Sequence, residues 1–324
     1  MLSEFDIIQQ YFEQPGLAAS KDEVIRMGIG DDCARLSIPS GFELAISMDT
    51  LVESIHFPAN AEPHLIAYRA LAVNLSDLAA TGAAPLAFTL GLTLAEANKT
   101  WISAFSEGLK ECASEYSCPL IGGDTTRGPL SITIQVHGLV PSGSAITRSG
   151  AMPGDRIYVT GSLGGAAFAL KMMQENTAIS PESKLMLDTA FYRPIPRISL
   201  GSGATGLVTA GMDISDGLLA DLGHLCRNSN TGAEILLHNV PVSKPAIDLS
   251  EQEALALAVT GGDDYELLLT AHPDNEQALF ELGEKCKVPV HCIGKIIAGN
   301  SLTCLDERGT AVTFEEKGYQ HFSK

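Results

Sequence analysis

A chain of 324 residues is longer than a single hydrophobic core usually supports, so its length predicts two domains. With 39 acidic and 21 basic residues the formal net charge is −18, which argues against binding of nucleic acid, and the sequence has no local basic stripe. The apolar fraction of 45% and the charged fraction of 19% indicate a folded enzyme rather than a disordered or fibrous chain. Small polyanions such as nucleotides remain possible ligands where divalent cations separate carboxylates from phosphates.

The cysteines and the N-terminus predict the compartment. The seven cysteines include no C-x-x-C pair, which argues against a disulfide framework or a zinc site and favours a reducing environment. The start of the chain, MLSEFDIIQQYFEQ, has the spacing of an amphipathic helix and lacks the features of a secretion signal. The uncharged stretch 78–95 is interrupted by Gly82, Pro85 and Gly91, so it does not predict a membrane span. We expect a soluble, cytoplasmic protein.

In the first half of the chain, apolar spacing predicts helices that alternate with strands. After the N-terminal helix we expect a strand over 43–48, a helix over 62–81, a strand over 85–94, a helix over 99–116 and a strand over 130–140. The Gly- and Pro-rich segment 141–154 comes next and predicts a domain boundary. We place the domains at 1–145 and 146–324.

The second half also mixes helices and strands. We expect a strand over 156–160, helices after it and over 181–192 and 218–228, strands near 235, over 266–270 and over 290–297, and helices near 252 and 274. Gly201, Gly203 and Gly206 form a G-x-G-x-x-G pattern. Because a predicted helix precedes it, we interpret it as a loop and not as a dinucleotide site. The fold class is therefore α+β or α/β in both halves.

The informative signal is a series of aspartates placed beside glycines or at strand ends along the whole chain. They are Asp31, Asp32, Asp49, Asp77, Asp124, Asp213, Asp216, Asp263 and Asp264. Any single one is explained as well by a turn or a helix cap. Together, carboxylates that emerge from apolar strands can converge, and Mg²⁺ prefers oxygen ligands supplemented by phosphate oxygens. The series predicts several magnesium ions.

Asp77 and His56 stand out from the other residues of these motifs. Asp77 is the only charged residue between Arg69 and Glu96, and an unpaired buried carboxylate is costly, so we expect a metal or a strong donor beside it. His56, beside Phe57, suits a ligand contact, although its spacing fits a structural histidine equally well. The Walker, protein-kinase, H-E-x-x-H and G-x-S-x-G motifs are absent from the sequence.

Read in order, the blocks GIGDDCA, SMDTLVESIHF, ALAVNLSDLAATGA, LIGGDTTRGPLSITIQVHG, ITRSGAMPGD, MDISDGLLADLGHL, GGDDYELL and KGYQHF closely resemble bacterial thiamine-monophosphate kinases. Several blocks also occur in the wider superfamily of aminoimidazole ribonucleotide synthetase and selenophosphate synthetase. The resemblance implies a two-domain aminoimidazole ribonucleotide synthetase-like fold whose N-terminal sheets pair across a homodimer. It also implies ATP-dependent phosphorylation of thiamine monophosphate to thiamine diphosphate.

The resemblance further implies roles for individual residues. Magnesium would be bound by Asp32, Ser47, Met48, Asp49, Asp77, Asp124, Asp213 and Asp216. ATP would contact Gly123, Asp124, Arg148 and Ser215, with Asp124 and Arg148 acting in phosphoryl transfer. Thiamine monophosphate would contact His56, Asp263 and Tyr319.

Two positions depart from the family pattern. Met48 stands where relatives often have threonine, so only its backbone carbonyl could bind a metal. Asp263 stands where relatives frequently have glutamate. The alternative functions are another ATP-dependent enzyme of the superfamily and, in a different class, a non-catalytic sensor of nucleotide and metal. A surface ion pair for Arg148 and a packing role for Tyr319 are the alternatives at those residues.

Overall fold

A computed structural model describes residues 3–175, 180–244 and 249–314. The chain divides into two compact units. The first groups residues up to 78 with 83–143, and the second groups 79–82 with the chain from 144 onward. Because the units interleave at 79–82, the domain boundary expected at residue 145 stays a prediction.

The first unit contains the helices and strands that its apolar spacing predicts. Its helices are α1 (Glu4–Ile7), extended by a π-helical turn (Ile8–Phe12), α2 (Pro63–Thr81) and α3 (Lys99–Glu115). Its strands are β1 (Ile25–Met27), β2 (Arg35–Leu36), β3 (Phe42–Val52), β4 (Ala84–Leu94), β5 (Leu120–Arg127) and β6 (Ser131–Pro141). The structure confirms the elements expected between residues 43 and 140, with two differences: β3 continues past Met48 to Val52, and β5 is a strand that the spacing did not predict.

A four-stranded sheet forms the centre of the first unit, in the order β3-β6-β4-β5. β6 pairs antiparallel with β3 and β4, and β4 pairs parallel with β5. Alternation along β6 buries Ile132, Ile134 and Val136 completely on one face. On the opposite face of the edge strand β3, Ile46 and Met48 are 54% and 58% exposed.

The second unit mixes helices with a largely antiparallel sheet. Its helices are α4 (Gly165–Gln174), α5 (Pro181–Tyr192), α6 (Ile198–Ala204), α7 (Leu218–Ser229), α8 (Glu251–Thr260) and α9 (Glu276–Cys286). Its strands are β7 (Arg156–Thr160), β8 (Ala210–Asp213), β9 (Gly232–Leu236), β10 (Leu267–Ala271), β11 (Val290–Ile297), β12 (Leu302–Leu305) and β13 (Ala311–Val312). The sheet order is β13-β12-β9-β11-β7-β10-β8. Helices and strands expected in the second half are confirmed.

The interpretation of the glycine-rich segment as a loop is wrong. Gly201 and Gly203 lie inside helix α6, and Gly206 follows it with a φ of +78°. A side chain on Gly201 would collide with the carbonyl oxygen of Ala79. Close packing of backbones therefore explains the glycine there, and it overrides the low helix propensity of the residue.

Two further features concern the cysteines and the helices. All seven cysteines are free thiols. Among the described residues, no helix combines the length and the apolar character that crossing a membrane requires.

Candidate functional site

In the first unit, three predicted ligands come together where α2 lies beside β3. The Ser47 hydroxyl donates a hydrogen bond of 2.5 Å to a carboxylate oxygen of Asp77. The backbone N–H of Asp49 donates to Asn74 Oδ1 at 3.0 Å. Asp77 is half-buried, and the strong donor expected beside it is the Ser47 hydroxyl.

The two carboxylates of this cluster disfavour each other's charge. Burial, and in second place the negative charge of Asp77, raises the pKa of Asp49 to about 6. A divalent cation between the two carboxylates would relieve this repulsion. The side-chain atoms that could bind it are all oxygens, which magnesium prefers as ligands. The residues at the α2 and β3 contact therefore fit the predicted ion.

The position of Asp49 differs from the sequence prediction. β3 pairs with β6 over its full length, with Asp49 opposite Ile134, so Asp49 lies within a strand and not at its end. Met48 precedes it with its side chain exposed on the other side of β3. Only the backbone of Met48 could therefore join a site on the side of Asp49.

Gly123 and Asp124 also lie within a strand and not in a loop. In β5, Gly123 pairs with Leu90 and Asp124 pairs with Gly91. A side chain on Gly123 would collide with the carbonyl oxygen of Leu90, which explains the glycine without a ligand. A Cβ on Gly122, by contrast, would meet no atom within 4 Å, so strand packing does not explain that glycine. Asp124 itself is exposed.

Asp32 and His56 occupy turns of the first unit. Asp32 is exposed, and its N–H donates to the Asp31 carboxylate at 2.9 Å. His56 lies just after β3, where its Nδ1 accepts from the N–H of Val52 at 2.9 Å and its own N–H donates to the Val52 carbonyl at 2.9 Å. The bond to Nδ1 orients the imidazole beside the end of β3.

In the second unit, the motif MDISDG begins in β8 and continues as the loop that leads to α7. Asp213 ends β8 and is 3% exposed, while Ser215 and Asp216 are half-buried. Successive N–H groups of Ser215, Asp216 and Gly217 each donate to Asp221 Oδ2 at 3.1 Å. The Asp221 carboxyl group thus lies in a nest of backbone donors.

The motif TGGDD packs its backbone against this loop. The N–H of Asp263 donates to the Ser215 carbonyl at 2.8 Å, and a Cβ on Gly217 would lie 2.6 Å from the Thr260 carbonyl oxygen. Asp263 and Tyr265 have positive φ values of +72° and +51°, a backbone region that residues other than glycine seldom adopt. Aspartate tolerates this region better than most residues, so the strain lies mainly at Tyr265.

Arg148 and Asp216 both act on His224, a residue of α7. Burial lowers the pKa of His224, the positive charges of Arg227 and Arg148 lower it further, and the charge of Asp216 opposes them. Arg148 is exposed, and its carbonyl accepts from the Ser229 hydroxyl at 3.3 Å. Arg148 and Asp216 thus both lie within electrostatic range of His224.

The sequence missed two residues that support these sites, Asn74 and Asp221. Each lies near a predicted ligand in the chain, three residues before Asp77 and five after Asp216. Within residues 3–175, 180–244 and 249–314, no group of three or more His, Cys, Asp or Glu side chains lies close enough to hold a metal. Tyr319 lies outside the described residues.

Family models match most of the chain. The AIR synthase related protein N-terminal domain matches residues 30–140, and the corresponding C-terminal domain matches residues 152–307. These matches cover most strands of both units and the acidic motifs between residues 30 and 307.

Known proteins of similar sequence and structure narrow this assignment. Thiamine-monophosphate kinase of Escherichia coli K12 is 44% identical over 322 residues, which is 99% of this chain and 98% of the relative. The crystal structure of thiamine-monophosphate kinase from Stenotrophomonas maltophilia K279a has a TM-score of 0.83 at 39% identity, covering 94% of this chain and 95% of that one. AaThiL complexed with AMPPCP and TMP has a TM-score of 0.78 at 27% identity, covering 98% and 96%. The chain belongs to the thiamine-monophosphate kinase family.

Proposed function

We propose that this protein transfers the terminal phosphoryl group of ATP to thiamine monophosphate and thereby produces thiamine diphosphate and ADP. The observation that carries the proposal is the 44% identity over 99% of the chain to the kinase of E. coli K12. The fold shared with AaThiL, which was solved with AMPPCP and TMP, supports it.

The acceptor explains why a strong general base is unnecessary. The second pKa of a phosphate monoester is about 6, so the attacking oxygen is already largely ionised near neutral pH. The main obstacle is repulsion between two polyanions, and magnesium, when bound, neutralises phosphate charge as the phosphoryl group moves in line to the acceptor. The chain's task is therefore to position ligands and charges.

Several residues supply these ligands in the proposal. Ser47, Asp49 and Asp77 offer an all-oxygen donor set at the edge of β3. We assign the remaining magnesium ligands to Asp32, Asp124, Asp213 and Asp216, with the backbone of Met48. The guanidinium of Arg148 binds a phosphate of ATP through paired charge-assisted hydrogen bonds.

The same proposal assigns the nucleotide and substrate contacts. Gly123, Asp124 and Ser215 contact ATP, and His56, Asp263 and Tyr319 contact thiamine monophosphate. The protein acts in the cytoplasm as a homodimer that pairs the sheets of its first units.

A product assay tests the function directly. Protein, ATP, Mg²⁺ and thiamine monophosphate are incubated, and thiamine diphosphate is measured by chromatography. We expect stoichiometric thiamine diphosphate and ADP, no turnover in EDTA, and recovery when Mg²⁺ is restored. A protein that binds ATP and Mg²⁺ yet forms no ADP with thiamine monophosphate would be a sensor and not a kinase.

A further inference from the structure

A buried amide on α2 holds the backbone of Asp49. β3 is the edge strand of its sheet, so alternate N–H groups of this strand point away from β6. The outward N–H of Asp49 donates to Asn74 Oδ1 at 3.0 Å. Asn74 is completely buried, and its Nδ2 donates to the Ala70 carbonyl at 2.9 Å. Both ends of this side chain are therefore used, one on the helix and one on the strand.

A second hydrogen bond joins the same two elements one turn further along α2. Asn74 and Asp77 are three residues apart and share a face of the helix, while Ser47 and Asp49 share a face of the strand. The bonds Asp49 to Asn74 and Ser47 to Asp77 together form what we call the α2–β3 clasp. The clasp joins α2 to β3 at two points, and each bond includes one member of the acid pair Asp49 and Asp77.

We propose that Asn74 is a positioning residue that holds the backbone of Asp49 on the β3 edge and thereby sets the separation of the Asp49 and Asp77 carboxylates. Two adjacent carboxylates repel each other, and within the chain β3 has a neighbouring strand on one side only. Magnesium requires near-ideal octahedral geometry, so its binding is sensitive to ligand spacing. The inference rests on the magnesium role proposed above for Asp49 and Asp77.

The test compares Asn74→Ala with Ser76→Ala. Ser76 lies on the same helix, is also completely buried, and its hydroxyl has no hydrogen-bond partner among the described residues. Both variants therefore remove a buried polar group from α2, but only the first breaks the clasp. Binding of Mn²⁺ is measured from the EPR signal of the free ion, and turnover is measured against Mg²⁺ concentration.

We expect Asn74→Ala to weaken Mn²⁺ binding and to raise the Mg²⁺ concentration for half-maximal turnover, each by about tenfold or more, as loss of an outer-shell partner does elsewhere. Saturating Mg²⁺ should restore kcat, because the ligands themselves remain. Ser76→Ala should match the wild type in both measurements. If Asn74→Ala also matches it, or if excess Mg²⁺ leaves kcat low, Asn74 does not position the acid pair.

Asn74→Ser serves as a second variant, and Mn²⁺ binding by the wild-type protein serves as the reference measurement. If alanine prevents folding, Asn74→Ser replaces it, because a serine hydroxyl in a helix bonds to the carbonyl four residues earlier but is too short to reach β3. The same tenfold loss is expected. A wild-type protein that binds no Mn²⁺ would overturn the magnesium role and this inference together, whereas wild-type binding with unchanged Asn74 variants would overturn the inference alone.

Discussion

One carboxylate oxygen of Asp221 accepts three backbone hydrogen bonds at a residue that is only 1% exposed. Burial, and in second place the charge of Asp216, raises the pKa of Asp221 to about 7, while the three N–H donors act in the opposite direction. The loop that contains Ser215 and Asp216 is thus shaped around a buried acid. Its ionised form is less favourable in the folded protein than in the unfolded chain.

This pKa predicts a pH-dependent stability. Because the folded pKa is raised, Asp221 holds its proton in the folded state at pH values where the unfolded chain has lost it, so stability falls as pH rises from about 4 to about 7. Asp221→Asn removes this titration. Urea denaturation in EDTA at pH 5 and pH 8.5 should show that the free energy of unfolding of the variant, relative to wild type, increases with pH. A difference that stays constant would contradict the raised pKa.

The substrate role of Asp263 is testable without disturbing its backbone. At a φ of +72°, alanine adds strain, whereas asparagine tolerates this region. In Asp263→Asn we expect the KM for thiamine monophosphate to rise about tenfold, or 1.4 kcal/mol, because a charge-assisted hydrogen bond is roughly twice as strong as a neutral one. The KM for ATP should stay unchanged.

The matched control is Asp274→Asn, at a side chain that is 87% exposed. It should leave both KM values and the Tm at wild-type levels. If Asp263→Asn lowers the Tm but leaves the KM for thiamine monophosphate unchanged, Asp263 only shapes the turn that follows Gly261 and Gly262.

At the scale of elements, β3 has two different faces. One carries Ser47 and Asp49 towards α2, and the other carries the exposed residues Ile46 and Met48. Opposite Ile46 on β6 lies His137, which is 9% exposed and whose ring nitrogens have no hydrogen-bond partner among the described residues. Burial lowers the pKa of this histidine and so favours its neutral form. An apolar strand face beside an unsatisfied buried histidine is typical of a surface that another chain covers.

At the scale of the whole molecule, this face predicts that Ile46→Glu converts the proposed homodimer to a monomer, since it would bury a charge in the interface. Light scattering at micromolar concentration measures the mass. Leu185→Glu places the same charge on α5 of the second unit, where the native leucine is 69% exposed, and it should leave the dimer intact. A dimer that survives Ile46→Glu would show that the open face of β3 is not the interface.

The sequence by itself determined what depends on neighbouring residues and on the family pattern. The spacing of Leu71, Leu75 and Leu78 predicted helix α2, because burial of one helical face imposes that period, and all three are buried. The absence of other charges around Asp77 predicted a metal or a strong donor beside it, because an unpaired buried carboxylate is costly. The motif order identified the family, since it requires only the residues and their sequence.

Tertiary structure decided what depends on segments distant in the chain. Asp49 lies inside a strand because β6 pairs with all of β3, and Gly201 lies in a helix because the Ala79 backbone approaches it. Asn74 and Asp221 became visible only through their backbone partners, Asp49 and the loop 215–217. Strand pairing, close backbone approach and burial of polar groups are long-range contacts, and no local pattern of residue types encodes them.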